Sequence, residues 1–478
     1  MKSIIRYIRL LIVPFSFIMI SCSDDDKYPD TTADETVIYN IRILNAGVDG
    51  NEIVVGTVNE NTKEITFPEV HMETDLSKVR FDANVSDRAV LDSIEYNFVV
   101  PEGASQYKRT IAVVNGLRKR EYYVTIRLDV PVWGADFTTS KVKVFDYTNA
   151  ILKLEDYAVG SIDKPVYNTD ATFGRQYGLS LQNVLIVNRN ATGPGLVKLS
   201  DIKQGNIGNF TSLVGSDVST EAWYSSGGVI TNGHVYVSNG TPWGNTLYLR
   251  SWEENHPEVA PKIISYDYPV GPRRYDGFLS ADINAEGNGF FFISGNTNVP
   301  ENEKIVRFSV TGFSNKASVD LFPGPTPFTG TWAAINHVPG TSDDYIYSGW
   351  NSNNAPVRLV GANGSVKYSI PLDNISKTKG DVKIIVFNQE RYLMAMDAEG
   401  TFFVYDITQG ATTQAALELM NTGDPLFTYS LGGAVPTANA SMSTAWIADG
   451  NETLYLLAGG VQAGFVVFEI PKKVKENQ

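Results

Sequence analysis

The stretch Val229–Trp252, VITNGHVYVSNGTPWGNTLYLRSW, decides the fold. Apolar Val229 and Ile230 lead into Asn232-Gly233, and this dipeptide is the strongest short-range signal for a tight β-hairpin turn. Alternating β-formers follow in HVYVS, and a loop rich in Gly, Asn and Pro then precedes LYLRSW. A single three-stranded hairpin cannot bury its own apolar face. The stretch therefore predicts a unit that stacks against copies of itself.

Six such units lie between residues 132 and 474. Their middle strands are LIVN from Leu185, VYVS from Val235, FFIS from Phe291, YIYS from Tyr345, YLMA from Tyr392 and YLLA from Tyr455. The intervals between these starts are 50, 56, 54, 47 and 63 residues. An apolar strand precedes each middle strand, a third strand follows, and most units add a fourth, such as KIISYD, SVDLF, VKYSI or ALEL. Four strands repeating every 40 to 55 residues or so are typical of β-propeller blades.

The sixth unit stops at its third strand, FVVFE, and is followed by the charged residues 475–478. Its fourth strand is expected to come from KVKVFDY, Lys141–Tyr147, which precedes the first unit. Closing the ring in this way removes the open sheet edges. We therefore predict a six-bladed β-propeller over residues 132–474. The alternatives are a seventh blade that begins with KVKVFDY and ILKLEDY, or a stacked sandwich.

Residues 36–131 have a different organisation. Seven short alternating segments are separated by Gly, Asn, Asp or Pro, which predicts a small β-sandwich. These are VIYNIRIL, NEIVVGTV, EITFPEV, SKVRFDANV, SIEYNFVV, RTIAVVNG and EYYVTIRLDV. The last two are expected to form a hairpin at Asn115-Gly116, and Pro131-Val132-Trp133-Gly134 marks the boundary. The predicted fold class is all-β, with a small sandwich followed by a propeller.

The N-terminus has the layout of a secretory signal. Residues 1–21 combine a basic start with an apolar run, Leu10–Ile20, that is too short for a convincing membrane span. Cys22 follows and is the only cysteine, so the chain can form neither an intramolecular disulfide nor a cysteine metal cluster. Residues 22–35 are acidic and polar, as expected of a solvated tether. An ordinary signal peptide with an incidental cysteine is the alternative.

Two short motifs at this N-terminus carry a resemblance. Met19-Ile20-Ser21-Cys22 resembles the bacterial lipobox, with Met in place of the usual Leu, and this implies lipidation at Cys22. The following Ser23, Asp24, Asp25 and Asp26 resemble the acidic export signal of Bacteroidetes surface lipoproteins. The resemblance implies a lipid-anchored protein on the outer face of the outer membrane.

The whole chain resembles a family of Bacteroidetes surface lipoproteins with an N-terminal Ig-like domain and a C-terminal propeller-like domain of unknown function. Such proteins often occur in polysaccharide-utilisation systems. The resemblance implies that residues 36–131 form an Ig-like spacer next to the lipid anchor. It supplies no catalytic residues.

The candidate ligand site is the mouth of the propeller. In propellers, the loops between strands two and three share one face with the blade-to-blade crossings, around the central channel. Here these segments combine Asn amides, aromatic rings and Arg side chains, which suit a carbohydrate, including an acidic one. The candidates are Arg175, Tyr177, Arg189, Asn239, Trp243, Arg273, Arg274, Tyr275, Asn296, Trp350 and Asn351. The alternative is structural, because Asn and Gly fill tight β-loops and Trp often plugs blade interfaces.

Other functions have little support in the sequence. The net charge is −14, from 39 Lys+Arg against 53 Asp+Glu, and there is no basic stripe, so we expect no nucleic-acid partner. Neither metal-binding histidine pairs nor nucleophile or phosphate motifs are present, and no metal or cofactor is expected. His234 and His337 are expected to be structural. Three carboxylates near predicted crossings could serve glycoside hydrolysis: Asp276, Asp381 and Asp424.

The sequence therefore predicts a surface lipoprotein that binds glycan or mediates adhesion without catalysis. The first alternative is a propeller hydrolase or lyase that acts on an acidic polysaccharide. The second is a scaffold that docks on an outer-membrane transporter partner.

Overall fold

The structure is a computed structural model of the chain. It forms two compact units, and most residues of each are described. The described residues are 35–98, 106–148, 176–187, 194–206, 210–215, 225–239, 246–267, 275, 277–295, 304–325, 331–350, 356–371, 381–397, 400–421, 423–431, 442–460 and 464–475. Contacts divide the chain into Met1–Pro131 and Val132–Gln478. In the described part of the chain, no helix has both the length and the apolar character needed to cross a membrane.

The described residues of the first unit form eight strands and a short 3-10 helix at Leu76–Lys78. The strands are β1 Ile38–Ala46, β2 Glu52–Asn59, β3 Glu64–Thr66, β4 Val70–His71, β5 Phe81–Val85, β6 Val90–Leu91, β7 Gln106–Asn115 and β8 Arg118–Asp129. They pair in the order β5-β1-β2-β3-β8-β7-β6, and β4 also pairs with β8. Alternate side chains of β8 point into the core, where Tyr122, Val124 and Ile126 are fully buried. The alternating pattern of the sequence thus reflects one buried face.

One predicted hairpin in this unit is confirmed and one predicted strand is wrong. Asn115 pairs with Arg118 across the turn that joins β7 to β8. SIEYNFVV, by contrast, is not a strand over its described residues, and only Tyr96 forms a single bridge, to Val79. The buried Tyr96 hydroxyl donates a hydrogen bond to Asp92, 2.8 Å away, and this local bond curls the segment.

The second unit contains six antiparallel sheets of four strands each, which confirms the predicted six-bladed propeller. The strand β9, Lys143–Tyr147, precedes the first blade. Blades 1 to 3 are β10 Gln176–Leu179, β11 Asn183–Val187, β12 Gly195–Lys198 and β13 Thr211–Ser212; β14 Gly227–Thr231, β15 His234–Ser238, β16 Thr246–Glu253 and β17 Lys262–Asp267; and β18 Leu279–Ile283, β19 Gly289–Ser294, β20 Lys304–Thr311 and β21 Asn315–Pro323.

Blades 4 to 6 continue the same pattern, with the last blade short of one local strand. They are β22 Thr331–His337, β23 Asp344–Trp350, β24 Arg358–Gly361 and β25 Val366–Ser369; β26 Lys383–Phe387, β27 Glu390–Met396, β28 Thr401–Asp406 and β29 Phe427–Ser430; and β30 Met442–Asp449, β31 Thr453–Gly460 and β32 Gly464–Pro471. Two short helices lie between outer strands: α1 Leu199–Gln204 in blade 1 and α2 Thr413–Leu419 in blade 5.

Ring closure occurs as the sequence predicts. The strand β9 pairs antiparallel with β32 and completes blade 6, with Phe465 opposite Tyr147 and Val467 opposite Phe145. The seventh-blade alternative is wrong within the described residues, because KVKVFDY belongs to the sixth sheet. ILKLEDY lies outside the described residues. The ring is therefore closed by hydrogen bonds between the two ends of the propeller sequence.

A second contact fixes the start of the propeller sequence, and we call it the N-terminal clamp: Gly134 and Ala135 with Glu390, Tyr392 and Lys473. The Ala135 N–H donates to the Tyr392 hydroxyl at 2.8 Å, and the Lys473 N–H donates to the Gly134 carbonyl at 2.9 Å. The Lys473 ammonium lies 2.7 Å from the Glu390 carboxylate. Gly134 has a φ of +83°. A Cβ there would lie 1.7 Å from a Glu390 oxygen, so only glycine fits.

The predicted hairpin unit Val229–Trp252 is confirmed as β14, β15 and β16. Asn232 and Gly233 adopt φ angles of +48° and +73°, as a type I′ turn requires, and Thr231 pairs with His234 across it. The ring of Tyr236 packs against Phe291 of the next blade at a centroid distance of 4.3 Å. The apolar face of the unit is thus buried by its neighbour.

One predicted fourth strand is wrong. ALEL, residues 416–419, lies in α2, and β29 supplies the fourth strand of blade 5. The Thr412 hydroxyl caps the helix by accepting a hydrogen bond from the Ala415 N–H at 3.1 Å. Ala416 and Leu417 are buried against the blade, so the helix covers apolar surface that a strand was expected to cover.

Candidate functional site

The innermost strands of the six blades surround the propeller axis, and a set of buried or mostly buried polar groups lies on these strands or directly before them. We call this set the polar belt. It consists of Gln176, Ser280, Asn336, Asp381, Lys383, Ser443 and Thr444. Buried polar groups normally require hydrogen-bond partners. Most partners of the belt residues lie on neighbouring inner strands, and Leu279, a partner of Gln176, lies two blades away, so the belt joins the blades beneath the predicted mouth.

Gln176 joins blade 1 to blades 2 and 3. Its side-chain oxygen accepts hydrogen bonds from the backbone N–H groups of Gly228 and Leu279, both at 3.0 Å. Its side-chain nitrogen donates to the Leu279 carbonyl at 2.7 Å. Blades 1 and 3 are not neighbours, so this side chain reaches across part of the axial space. The mouth therefore has a floor on this side of the ring.

Asp381 joins blades 4, 5 and 6 and is almost completely buried. One carboxylate oxygen accepts a hydrogen bond from the Asn336 amide at 2.8 Å. The other accepts one from the Thr444 N–H at 3.2 Å and contacts the Lys383 ammonium. Lys383 also donates to the Thr444 carbonyl at 2.7 Å. Both oxygens of this carboxylate are thus occupied by structural contacts.

Two further hydrogen bonds join blade 6 to blade 1 and blade 3 to blade 4. The Ser443 hydroxyl of blade 6 accepts a hydrogen bond from the Tyr177 N–H of blade 1 at 2.9 Å. The Ser280 hydroxyl of blade 3 donates to the Ile335 carbonyl of blade 4. The belt therefore connects all six blades around the axis.

The two charged side chains of the polar belt, Asp381 and Lys383, pair with each other. Burial lowers the pKa of the Lys383 ammonium, and the neighbouring Asp381 carboxylate limits that decrease. Within the described residues, the belt has this single carboxylate. Glycoside hydrolysis usually requires two. Among the described residues, the belt therefore supplies one carboxylate, and both of its oxygens are occupied.

Three of the predicted ligand residues have described side chains, and all three are buried. Tyr177 packs its ring against Phe465 at 5.6 Å, and burial raises the pKa of its hydroxyl. Tyr275 lies in the apolar core between blades 2 and 3. The Asn239 amide accepts from the Tyr248 N–H at 2.7 Å and donates to the Thr246 carbonyl at 3.2 Å. The two tyrosines are core residues, and Asn239 links the end of β15 to the start of β16.

The other predicted site residues cannot be placed in the same way. Trp350 ends β23. The remaining residues lie outside the described part of the chain: Cys22, Ser23, Asp24, Asp25, Asp26, Arg175, Arg189, Trp243, Arg273, Arg274, Asn296 and Asn351. Among the described residues, no group of three or more His, Cys, Asp or Glu side chains could hold a metal ion.

A second polar contact lies on the opposite face of the propeller. His337, at the end of β22, places its Nδ1 atom 3.3 Å from a carboxylate oxygen of Asp282 on blade 3. Its ring packs against Tyr345 at 5.4 Å. The hydrogen bond to Asp282 raises the pKa of His337, and partial burial opposes this increase. As the sequence predicts, His337 has a structural role, which here is to join blades 3 and 4.

This pair predicts a pH-dependent stability. The pKa of His337 in the folded protein lies above its value in the unfolded chain, about 6.5. The stabilisation is therefore fully present below about pH 6.5 and is lost as the pH rises through the folded-state pKa. Asp282→Asn should lower the free energy of unfolding more at pH 5.5 than at pH 9, as measured by urea unfolding. Glu258→Gln, beside the exposed His256, is the control, and an equal loss for Asp282→Asn at both pH values would contradict the role of the pair.

Comparison with known proteins gives a family but no activity. A model described as a domain of unknown function, DUF4623, matches residues 24–473. The structure of a DUF4623 family protein from Bacteroides eggerthii DSM 20697 has a TM-score of 0.62 and 27% sequence identity, over 92% of this chain and 100% of that chain. No curated protein matches the chain.

More distant structures share only low similarity. A subtype N10 neuraminidase-like protein of A/little yellow-shouldered bat/Guatemala has a TM-score of 0.39 and 11% identity, over 65% of this chain and 98% of that chain. Hydrazine synthase of Kuenenia stuttgartiensis has a TM-score of 0.35 and 9% identity, over 76% and 92%. Values this low say nothing about activity. The match over residues 24–473 is decisive, and the chain belongs to the DUF4623 family.

Proposed function

We propose that this protein is a surface lipoprotein that binds glycan at the mouth of its propeller, without catalysis. The observation that carries this proposal is the polar belt, which would give the mouth a rigid floor and whose one carboxylate, Asp381, is occupied by Asn336, Lys383 and Thr444. A preformed floor of this kind reduces the ordering cost of binding. The first unit would serve as an Ig-like spacer.

Residues 240–245, which the sequence predicts to lie at the mouth, best suit a sugar ligand. They contain Trp243 between Pro242 and Gly244, and they follow Asn239, whose amide bonds Thr246 and Tyr248 of β16. An aromatic ring can pack against the apolar face of a sugar, and the Arg side chains of the crossings can pair with acidic groups. We therefore place the principal sugar contact at Trp243.

A glycan array probed with residues 36–478 tests this proposal. We expect a subset of glycans to be retained with unchanged mass, and Trp243→Ala to weaken their binding about tenfold, as loss of a central aromatic contact does. Trp133→Ala is the matched control, because Trp133 is a partly exposed tryptophan near the domain boundary. If no glycan is retained, binding is excluded, and a retained glycan that becomes shorter would show catalysis instead.

The lipid anchor is tested separately. Cys22→Ala should move the protein from the membrane fraction to the soluble fraction, because only a lipidated cysteine would hold residues 22–478 at the membrane. Fractionation followed by immunoblotting measures the change. Ser23→Ala, one residue away, should leave the protein with the membrane. If the Cys22→Ala protein remains membrane-bound, the lipoprotein assignment is wrong.

A further inference from the structure

A cavity of about 360 Å³ lies in blade 2 on the face opposite the mouth. It is formed by β15, β16 and β17, by residues 254–261 that join the last two strands, and by Ser314 of blade 3. Its volume is in the range of pockets that hold small organic ligands. The residues used below are His234, Trp252, Glu253, Val259, Ala260 and Lys262.

One wall of the cavity is aromatic and fixed. The imidazole of His234 stacks on Phe313 of blade 3, with ring centroids 4.0 Å apart and planes within 9°. Its Nδ1 atom lies 3.1 Å from the Asn232 carbonyl, which can only accept, so Nδ1 carries the proton. Trp252 is buried, and its indole N–H donates to the Val214 carbonyl at 2.9 Å. These rings are held in place by the protein's own contacts before any ligand arrives.

Two opposite charges line the same cavity. Lys262 begins β17 opposite Ser251, and Glu253 lies two residues further along β16, so the two are diagonal neighbours. Neither side chain has an ion pair or hydrogen bond to another residue of the described chain. The His256 ring, which also lines the cavity, lies 3.1 Å from the Glu258 carboxylate. The cavity therefore offers one unpaired cation and one unpaired anion beside an apolar wall.

We propose that this cavity binds a free α-amino acid with an apolar side chain. The ligand carboxylate pairs with Lys262, and the ligand ammonium pairs with Glu253. The side chain packs against His234, Trp252 and Val259. A ligand with a single charge would leave one of the two protein charges without a partner, and a sugar would leave both. The site lies on the face opposite the mouth and does not depend on glycan binding.

Isothermal titration of the full-length protein in a non-ionic detergent, with L-phenylalanine as the probe, tests the proposal. Two analogues that each lack one charge, 3-phenylpropanoate and 2-phenylethylamine, serve as comparison ligands. We expect saturable binding of L-phenylalanine and at least fivefold weaker binding of each analogue, since each loses one partly exposed ion pair. Equal affinity for all three ligands, or no binding of L-phenylalanine, would overturn the proposal.

Substitutions at the cavity test whether L-phenylalanine binds there. Lys262→Gln and Glu253→Gln should each weaken L-phenylalanine binding about fivefold, and Ala260→Trp, which fills the cavity, should abolish it. Lys198→Gln and Glu286→Gln change exposed residues elsewhere on the propeller and should leave the affinity unchanged. If L-phenylalanine still binds the Ala260→Trp protein, or if neither charge variant changes its affinity, this site is excluded.

Discussion

Replacing Phe468 with alanine is expected to lower the free energy of unfolding of the propeller by about 3–5 kcal/mol. Phe468 is completely buried on β32, where three rings of blade 5 surround it. The centroid distances are 5.5 Å to Phe402, 5.3 Å to Phe427 and 5.2 Å to Tyr429. The substitution leaves a cavity at the joint between blades 5 and 6, and blade 6 already depends on β9 for its fourth strand.

Urea unfolding followed by tryptophan fluorescence measures this loss in the propeller alone, because all seven tryptophans lie after Pro131. Phe403→Ala is the matched control. Phe403 is the neighbour of Phe402 but is only partly buried, so its loss should be clearly smaller. Equal losses for Phe468→Ala and Phe403→Ala would mean that this interface does not hold the ring closed.

The second large effect is expected at the polar belt. Asp381→Ala should lower the free energy of unfolding by about 3–5 kcal/mol, because it leaves the mostly buried Lys383 ammonium without its counter-charge. It also removes the acceptor of the Asn336 amide and the Thr444 N–H. The same fluorescence-detected unfolding measures the change.

A double variant separates the charge effect from simple loss of packing. Asp381→Leu combined with Lys383→Met removes both charges, and we expect it to cost less than Asp381→Ala alone. The exposed pair of Lys367 and Asp344 is the control. Lys367→Met should cost less than about 1 kcal/mol. A double variant that is as unstable as the sum of its single changes would show that the two belt charges are not coupled.

The propeller could be predicted from the sequence because its signals are local. Turn pairs such as Asn232-Gly233 and the alternation of HVYVS act over a few residues, and their sixfold recurrence gave the blade number. The closing strand followed from one missing strand in blade 6. The prediction failed for ALEL, a short apolar segment that fits either a strand or a helix. It forms part of a helix capped by Thr412.

The polar belt could not be predicted in this way. Gln176 and Leu279 are 103 residues apart, and Asn336 and Asp381 are 45 apart, so their contacts depend on the closed ring and not on spacing. Asp381 stood out only as a carboxylate near a crossing. The same limit explains the wrong expectation for the two tyrosines, because an aromatic residue at or just before the start of an inner strand can face the ligand or the core. Tyr177 and Tyr275 face the core.

The N-terminal clamp determines how mechanical force would enter the propeller. Tension transmitted along residues 131–133 reaches Gly134 before it reaches β9. There the hydrogen bond from the Ala135 N–H to the Tyr392 hydroxyl, the bond from the Lys473 N–H to the Gly134 carbonyl, and the ion pair between Lys473 and Glu390 would bear the load together. The hydrogen bonds between β9 and β32 are shielded until these contacts break. A pull from the first unit would therefore strain the clamp first, while the ring remains closed.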